Sequence, residues 1–294
     1  FGSFTTQNFT TATNSYNTGL GYQAGMLVTT GVESTLIGGL AGDALTTGQQ
    51  NVALGYNALG LDTLGNRSVA IGHSALDSQN FTSATNAYNV AVGYSAGTAV
   101  TTGIKNAIFG TLALSAATTG QENVAIGHQA LLSDTKGQRN VAVGANALDA
   151  QNFTSATNSY NVAMGYSAGG AVTTATGQTL IGSLAGDAAT TGASNTFVGQ
   201  NSGGATTTGG QNTAVGEGAL ASNTTAGTNT AIGRDAMYHA TTAQNNVALG
   251  HSAMKAQTTA TGNFAAGYSA LEDCTTGHSN AASGAYALSN VTTG

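Results

Sequence analysis

Acidic side chains recur at one position of this sequence, and they are the first place to look for general acid–base chemistry. Asp43 and Asp77 lie 34 residues apart, two turns of the repeat described below, which places them about 9.5 Å apart in stacked strands. An inverting glycosidase could use a carboxylate pair at that distance. Such a pair also needs a cleft, which nothing in the sequence indicates, so we expect solvated carboxylates and no enzyme activity. The same position holds Asp149, Asp187 and Glu272.

The other reactive residue types form no recognisable constellation. There is no Ser-His-Asp set, phosphate loop or nucleotide fingerprint, so no cofactor is expected. His73, His128 and His251 fall on non-adjacent repeats and cannot share a metal ion. Cys274 is the single cysteine, which we interpret as a small buried filler. The chemistry of this chain therefore has to be read from its repeat pattern.

The composition argues against nucleic-acid binding and against membrane insertion. The six Lys and Arg residues are scattered, so a nucleic-acid footprint is absent. Only 6% of the residues are charged, yet no apolar run approaches the ~20 residues of a membrane-spanning helix. The apolar residues also recur in phase, which argues against disorder. We expect a folded chain without membrane insertion in this segment.

A nine-residue pattern, seen at 51–59 and again at 123–131, organises the whole sequence. Its glycine marks sixteen repeats, spaced by 17 residues except for two steps of 21. A fixed period of this kind decides the architecture before any local structure is considered. We number each repeat from its marker glycine, taken as position 0. The markers are Gly21, Gly38, Gly55, Gly72, Gly93, Gly110, Gly127, Gly144, Gly165, Gly182, Gly199, Gly216, Gly233, Gly250, Gly267 and Gly284.

Each repeat predicts one coil of a β-solenoid. Position −4 is Asn in thirteen repeats, and positions −3 to −1 alternate as in a short strand. Position +3 is Ala in fifteen repeats, and a Thr-Thr-Gly turn at +8 to +10 leads to the next coil. Stacking places like residues above one another about 4.8 Å apart. The predicted structural columns are represented by Asn51, Gly55, Ala58, Asn123, Gly127 and Ala130.

The alternation leaves the choice of the inner face open, and we expect the larger residues at −3 and −1 to form the core. The alanines at −2 then point out of the coil. A coil of 17 residues encloses little apolar area, so we expect three chains to pack by their alanine faces as a homotrimer. The alternative is a wider monomeric solenoid with both faces internal. A helical solenoid needs longer units.

The repeats resemble a known family. The segments 123–131 (NVAIGHQAL) and 212–220 (NTAVGEGAL) are similar to the head repeats of YadA-like trimeric autotransporter adhesins, and the Thr-Thr-Gly form resembles repeat shafts of phage tail fibres. The likeness covers essentially the whole chain, although the period is longer than in the adhesin heads. It implies a left-handed parallel β-roll, trimeric, on a cell or virion surface, used for attachment.

Two features interrupt the regularity and are candidate binding sites. The 21-residue coils carry the insertions 79–88 and 151–160, and a third copy lies at 7–16. These segments can lift aromatic rings towards a glycan or protein receptor; the alternative is that the rings fold back and plug the gap made by the insertion. The candidate residues are Phe81, Tyr88, Phe153, Tyr160, Phe9 and Tyr16.

Position +1 forms the second feature, a column rich in tyrosine and histidine. Its candidate binding residues are Tyr56, Tyr94 and Tyr166, with Tyr22 and Tyr268 at equivalent positions. The column could stack on sugar rings, or its members could stack on one another or contact other chains.

These observations favour one all-β, parallel β-solenoid domain over 1–294, a segment of a longer extracellular fibre. Its expected function is attachment and spacing on a virion tail fibre or a cell-surface adhesin. The alternatives are an ice-binding solenoid, suggested by the threonine columns, and a polysaccharide-depolymerising spike. Adjacent strand residues face opposite ways, so Thr-Thr offers ice only one row.

Overall fold

The computed structural model describes residues 14–293 and is an all-β parallel solenoid of about sixteen turns. Within that range there is no helix, and hence none that could span a membrane. The chain divides into two compact units. The described part of the first covers 14–143 and 152–158, and that of the second covers 144–151 and 159–293.

The strands are short. Those of the first unit are β1 Thr18–Leu20, β2 Thr35–Ile37, β3 Val52–Leu54, β4 Gly65–Asn66, β5 Val69–Ile71, β6 Thr85–Asn86, β7 Val90–Val92, β8 Ala107–Phe109, β9 Val124–Ile126, β10 Gly137–Gln138, β11 Val141–Val143 and β12 Thr157–Asn158. Those of the second are β13 Val162–Met164, β14 Thr179–Ile181, β15 Thr196–Val198, β16 Thr213–Val215, β17 Thr230–Ile232, β18 Val247–Leu249, β19 Phe264–Ala266 and β20 Ala281–Ser283.

Each unit contains one eight-stranded parallel sheet, built from positions −3 to −1 of its coils. In the first the order is β1-β2-β3-β5-β7-β8-β9-β11, and in the second the strands run in sequence from β13 to β20. Equivalent residues pair, as Val52 does with Val69. The two-residue pairs β4–β6 and β10–β12 are additional and form where the 21-residue coils extend the chain. The predicted stacking of one coil per repeat is confirmed.

The asparagine at −4 fastens each coil to the next. In the second unit, the Asn229 side chain donates to the Ala243 carbonyl at 2.7 Å. Its Oδ1 accepts the backbone N–H of Asn246 at 3.1 Å and the Asn246 side-chain amide at 3.2 Å. Asn51 and Asn123 are buried in the same role. The ladder is therefore mainly side chain to backbone, and it satisfies groups that burial would otherwise leave unpaired.

The marker glycine is required by close backbone contact. Gly55 has φ near 136°, and a Cβ on it would lie 2.5 Å from the carbonyl oxygen of Gly72. Gly127 keeps the same conformation, with φ near 134°. Any side chain at this column would force neighbouring coils apart. The contact recurs in each coil, so glycine recurs at the same spacing in the sequence.

The prediction about the inner face is wrong. The alanines at −2 point into the coil, where Ala53 and Ala125 are fully buried, and the larger residues at −3 and −1 point outward. Ala58 and Ala130 at +3 are buried beside them, as predicted. The interior also receives positions +4 and +7, so small residues are needed to fit four columns into so narrow a coil. The proposed alanine contact between chains is excluded by this burial.

In the coils of Leu36, Leu180 and Phe197, bulk at −2 is matched by glycine at +4, whereas Ile108 shares its coil with Leu114. Phe197 is the largest fully buried side chain, and Gly203 in the same coil makes room for it. A Cβ on Gly203 would lie 2.5 Å from the Phe197 ring. Where −2 is alanine, +4 can be leucine, as in the coil of Ala214 and Leu220. Leu220 has φ of 53°, so leucine tolerates the left-handed conformation of this position.

Removing one asparagine of the ladder should destabilise the fold. Asn229→Ala leaves the Ala243 carbonyl and the Asn246 N–H without their partner, at a cost of about 3 kcal/mol in the free energy of unfolding. Chemical denaturation would measure this, with the exposed Gln244→Ala as control. Equal stability of the two variants would contradict the role of the ladder.

The compensation between −2 and +4 predicts strong coupling. Phe197→Ala alone should cost about 3–5 kcal/mol through the cavity it leaves. Gly203→Leu alone should cost at least about 2 kcal/mol through overpacking. The double variant recreates the Ala–Leu pattern and should lie within about 2 kcal/mol of the parent chain. A double-mutant cycle by denaturation tests this, and additive costs would refute it.

Candidate binding surfaces

The phenylalanines of the insertions lie inside the fold. Phe81 is 5% exposed and Phe153 is 6% exposed. Their predicted display to a receptor is wrong, because each ring folds back into the space opened by the longer coil and removes its apolar surface from water. The structure thus agrees with the plugging alternative for both residues.

The tyrosines of the insertions are exposed as predicted. Tyr88 is 47% exposed, and its hydroxyl accepts a 2.8 Å hydrogen bond from Arg67, whose guanidinium lies 5.6 Å from the ring centre. Tyr160 and Tyr16 are also exposed. Phe9 lies outside the described residues. The insertions therefore present one tyrosine each.

The rings at +1 stack on one another where they are adjacent. In the first unit His73 lies between Tyr56 and Tyr94, with ring centres 5.2 and 5.3 Å away. In the second unit His251 stacks on Tyr268 at 5.2 Å. Stacking between coils was the alternative to sugar contact, although these tyrosines keep about half of their surface in solvent. Tyr166 is exposed at the same position.

The acids at +5 are less solvated than expected. Partial burial raises the pKa of Asp43, Asp149 and Asp187 above the ordinary 3.8. Partial burial also raises the pKa of Asp77, and the negative charge of Asp43 adds to this, while His73 and a 2.6 Å hydrogen bond from Asn57 oppose it. No group of three or more His, Cys, Asp or Glu side chains suited to a metal occurs among the described residues.

The buried carboxylates at +7, which are Asp62 and Asp134, were missed in the sequence analysis. Asp62 is fully buried and accepts hydrogen bonds from the Gly65 N–H at 3.0 Å and from Gln79 Nε2 at 2.7 Å. Gln79 in turn accepts from Asn89 at 2.8 Å. Burial raises the pKa of Asp62 above 3.8, and these donors lower it in part. The network links two coils beneath the first insertion.

The threonine columns differ in exposure. At +8 the hydroxyls bond to the next coil, as Thr190 Oγ1 donates to the Thr207 carbonyl at 3.1 Å. At +9 the threonines are exposed, as Thr191 is. Within the Thr-Thr turn of the described coils, the exposed row is thus the one at +9.

Each long sheet has an uncovered outer face, which we call the outer sheet face and define as positions −3 and −1 of its coils. Position −1 is apolar in all coils but the last, whereas −3 is threonine in two of the eight coils of the first unit and in four of the eight coils of the second. Ile126 is 39% exposed in the first unit, and Ile232 is 42% exposed in the second. Eight three-residue strands cover about 10 by 35 Å. A patch of this size lies within the range of the largest apolar patch on a typical monomer, and such patches often mark an interaction surface. The −1 residues are Leu20, Ile37, Leu54, Ile71, Val92, Phe109, Ile126 and Val143, then Met164, Ile181, Val198, Val215, Ile232, Leu249, Ala266 and Ser283.

Charged residues flank the outer sheet face at −5. In the first unit, Glu122 lies 3.7 Å from Lys105 and 2.8 Å from Arg139. The hydrogen bond from Arg139 is the main cause that lowers the pKa of Glu122. An apolar centre with a polar rim is the usual arrangement of a protein–protein interface.

Comparison with protein-family models, characterised proteins and solved structures finds no match for this chain. The function of the chain therefore has to be inferred from its surfaces.

The buried Asp62 predicts a specific pH dependence. Its folded-state pKa lies above the unfolded value near 3.8, so its stabilising contribution is fully present below that value and is lost as pH rises through the folded pKa. Asp62→Asn should therefore show a smaller fall in thermal midpoint between about pH 3.5 and pH 7 than the parent.

The control for this experiment is Asp273→Asn, which alters an exposed carboxylate. It should keep the pH dependence of the parent chain. If Asp62→Asn and Asp273→Asn give the same change of thermal midpoint with pH, Asp62 does not titrate as described.

Proposed function

We propose that this chain is a structural and adhesive segment of an extracellular fibre, assembled as a homotrimer through its outer sheet faces. It would space and attach a virion tail fibre or a cell-surface appendage, without catalysis and without a cofactor. The observation that carries the proposal is the uncovered apolar face of each sheet. A second copy of the chain supplies the same apolar centre and polar rim, so like faces can cover one another.

Leaving the apolar residues of this face in water costs free energy, and a partner that covers them would remove this cost. Burying its apolar area contributes about 25 cal/mol per Å², and a face about 35 Å long in each unit repeats that gain coil after coil. The face supports association as such, whereas the number three and the surface location come from the resemblance to trimeric adhesins and tail fibres.

The hydrogen bonds and surface residues of the chain also support a role in spacing and attachment without catalysis. The hydrogen-bond ladder at −4 repeats along each unit and resists bending and shear, as a spacer requires. The exposed tyrosines at +1 and in the insertions offer contact points to a receptor glycan or protein. The acids at +5 are spread over half-buried surface positions, an arrangement better suited to solubility than to proton transfer.

The oligomeric state in solution tests the proposal. The parent chain should have three times the chain mass of 28.8 kDa by analytical ultracentrifugation. Ile126→Asp combined with Ile232→Asp should dissociate it, because each introduced carboxylate would be desolvated in the interface. The matched control combines Thr119→Asp and Thr242→Asp at the exposed +9 turn position, in the coil before that of Ile126 and in the coil of Ile232.

A monomeric parent chain at micromolar concentration would refute the assembly. A control variant that dissociates as readily as the sheet-face variant would show that added charge, and not the outer sheet face, is responsible. Circular dichroism of both variants should retain the parent spectrum, because all four positions are partly or fully exposed to solvent.

A further inference from the structure

A polar notch opens in the second unit where one side chain is missing. Position +2 holds glycine in a single repeat, at Gly218, and a larger residue in the other fifteen. Gly218 has φ of 67°, close to the 54° of Asn201 and the 56° of Asp235 in the adjacent coils. Its backbone therefore follows the common path, and only the side chain is absent.

Three consecutive coils line this notch, which has a volume of about 260 Å³. Gly218 forms its floor. A Cβ there would lie 2.8 Å from Asp235 Oδ1 and 3.2 Å from two carbons of the Tyr238 ring, so both groups face the gap. The lining residues are Gln200, Asn201, Glu217, Gly218, Asp235 and Tyr238.

The charges around the notch are balanced. Arg234 lies 3.6 Å from Glu217 and 3.8 Å from Asp235, and Lys255 lies 3.7 Å from Asp235. Both contacts to Asp235 use its Oδ2 atom, and the contact to Glu217 uses Oε2. The other oxygen of Asp235, Oδ1, is directed at the notch. An anion would meet two carboxylates, and a cation would have to compete with Arg234 and Lys255. The notch therefore suits an uncharged ligand.

We propose that this notch binds one neutral sugar residue of a glycan. Sugar hydroxyls can donate to the carboxylates, which gives the stronger, charge-assisted kind of hydrogen bond, and can both donate to and accept from the amides of Gln200 and Asn201. The Tyr238 ring offers an apolar wall for the C–H face of a pyranose. A wholly apolar ligand would leave these polar groups unpaired.

This inference rests on the proposed function, since it names the ligand class and the site by which the fibre segment would attach. The notch lies at +1, +2 and +5, beyond the strand positions that form the outer sheet face. Its occupancy and the assembly of the chain can therefore be measured separately.

Saturation-transfer NMR on the assembled chain tests the proposal, with methyl glycosides of glucose, galactose, mannose and N-acetylglucosamine as probes. At least one glycoside should bind. Gly218→Asn should weaken binding by at least about tenfold, because asparagine occupies +2 at Asn57, Asn146 and Asn201 with positive φ and would fill the notch. Tyr238→Ala should have a similar effect through loss of the wall.

The control is Tyr286→Ala, which removes an exposed ring at +2 of another coil of the same unit, outside the notch. It should change binding by less than about twofold. The proposal is overturned if none of the four glycosides binds, if Gly218→Asn binds as well as the parent, or if Tyr286→Ala loses binding equally. A trimer that binds no glycoside refutes the notch alone, whereas a glycoside-binding monomer refutes the fibre assembly alone.

Discussion

The structure depends on the hydrogen bonds that the asparagine at −4 makes between successive coils. One side chain supplies a donor to the end of its own coil and an acceptor to the start of the next, as Asn229 does for Ala243 and Asn246. These buried backbone groups have no strand partner at the corners of so short a coil, and water cannot reach them. The columns of glycine, alanine and threonine can stack only because this junction holds its geometry in each repeat.

The period, the strand positions and the asparagine and glycine columns could be predicted from the sequence, since each leaves a repeated residue type at a fixed spacing. The direction of the inner face could not be predicted from alternation alone, because alternation separates two faces without saying which is inside. A usable signal was present: position −4 has the same parity as −2, so a buried asparagine column places Ala125 inside with Asn123 and sends Ile126 outward. Hydrophobic size misled the prediction, since the narrow interior admits few large side chains.

Candidate sites were predicted less well, because they depend on side chains that break the pattern. Exposure of Tyr88 followed from its place in an insertion, but the burial of Phe81 depends on a cavity that exists only in the folded coil. Asp62 was passed over because Asp134 is the one other acid at +7, although +7 is a buried column. Gly218 did leave a readable signal, the one glycine at its position. The residues that converge on it come from three repeats and only the stacking brings them together.

The buried polar link beneath the first insertion gives the first unit a fixed point for its alignment. Nearly identical coils could pair with the wrong neighbour during folding, and an error of one whole repeat would cost little in the strand ladder, where valine would still meet valine or threonine. Asp62 removes that tolerance. Its carboxylate accepts a hydrogen bond from the Gln79 amide in the next coil, and pairing with the coil after that would replace this donor with the apolar Val100. One specific polar contact in an otherwise uniform series of coils thereby fixes which coils pair, and so the order in which their neighbours stack.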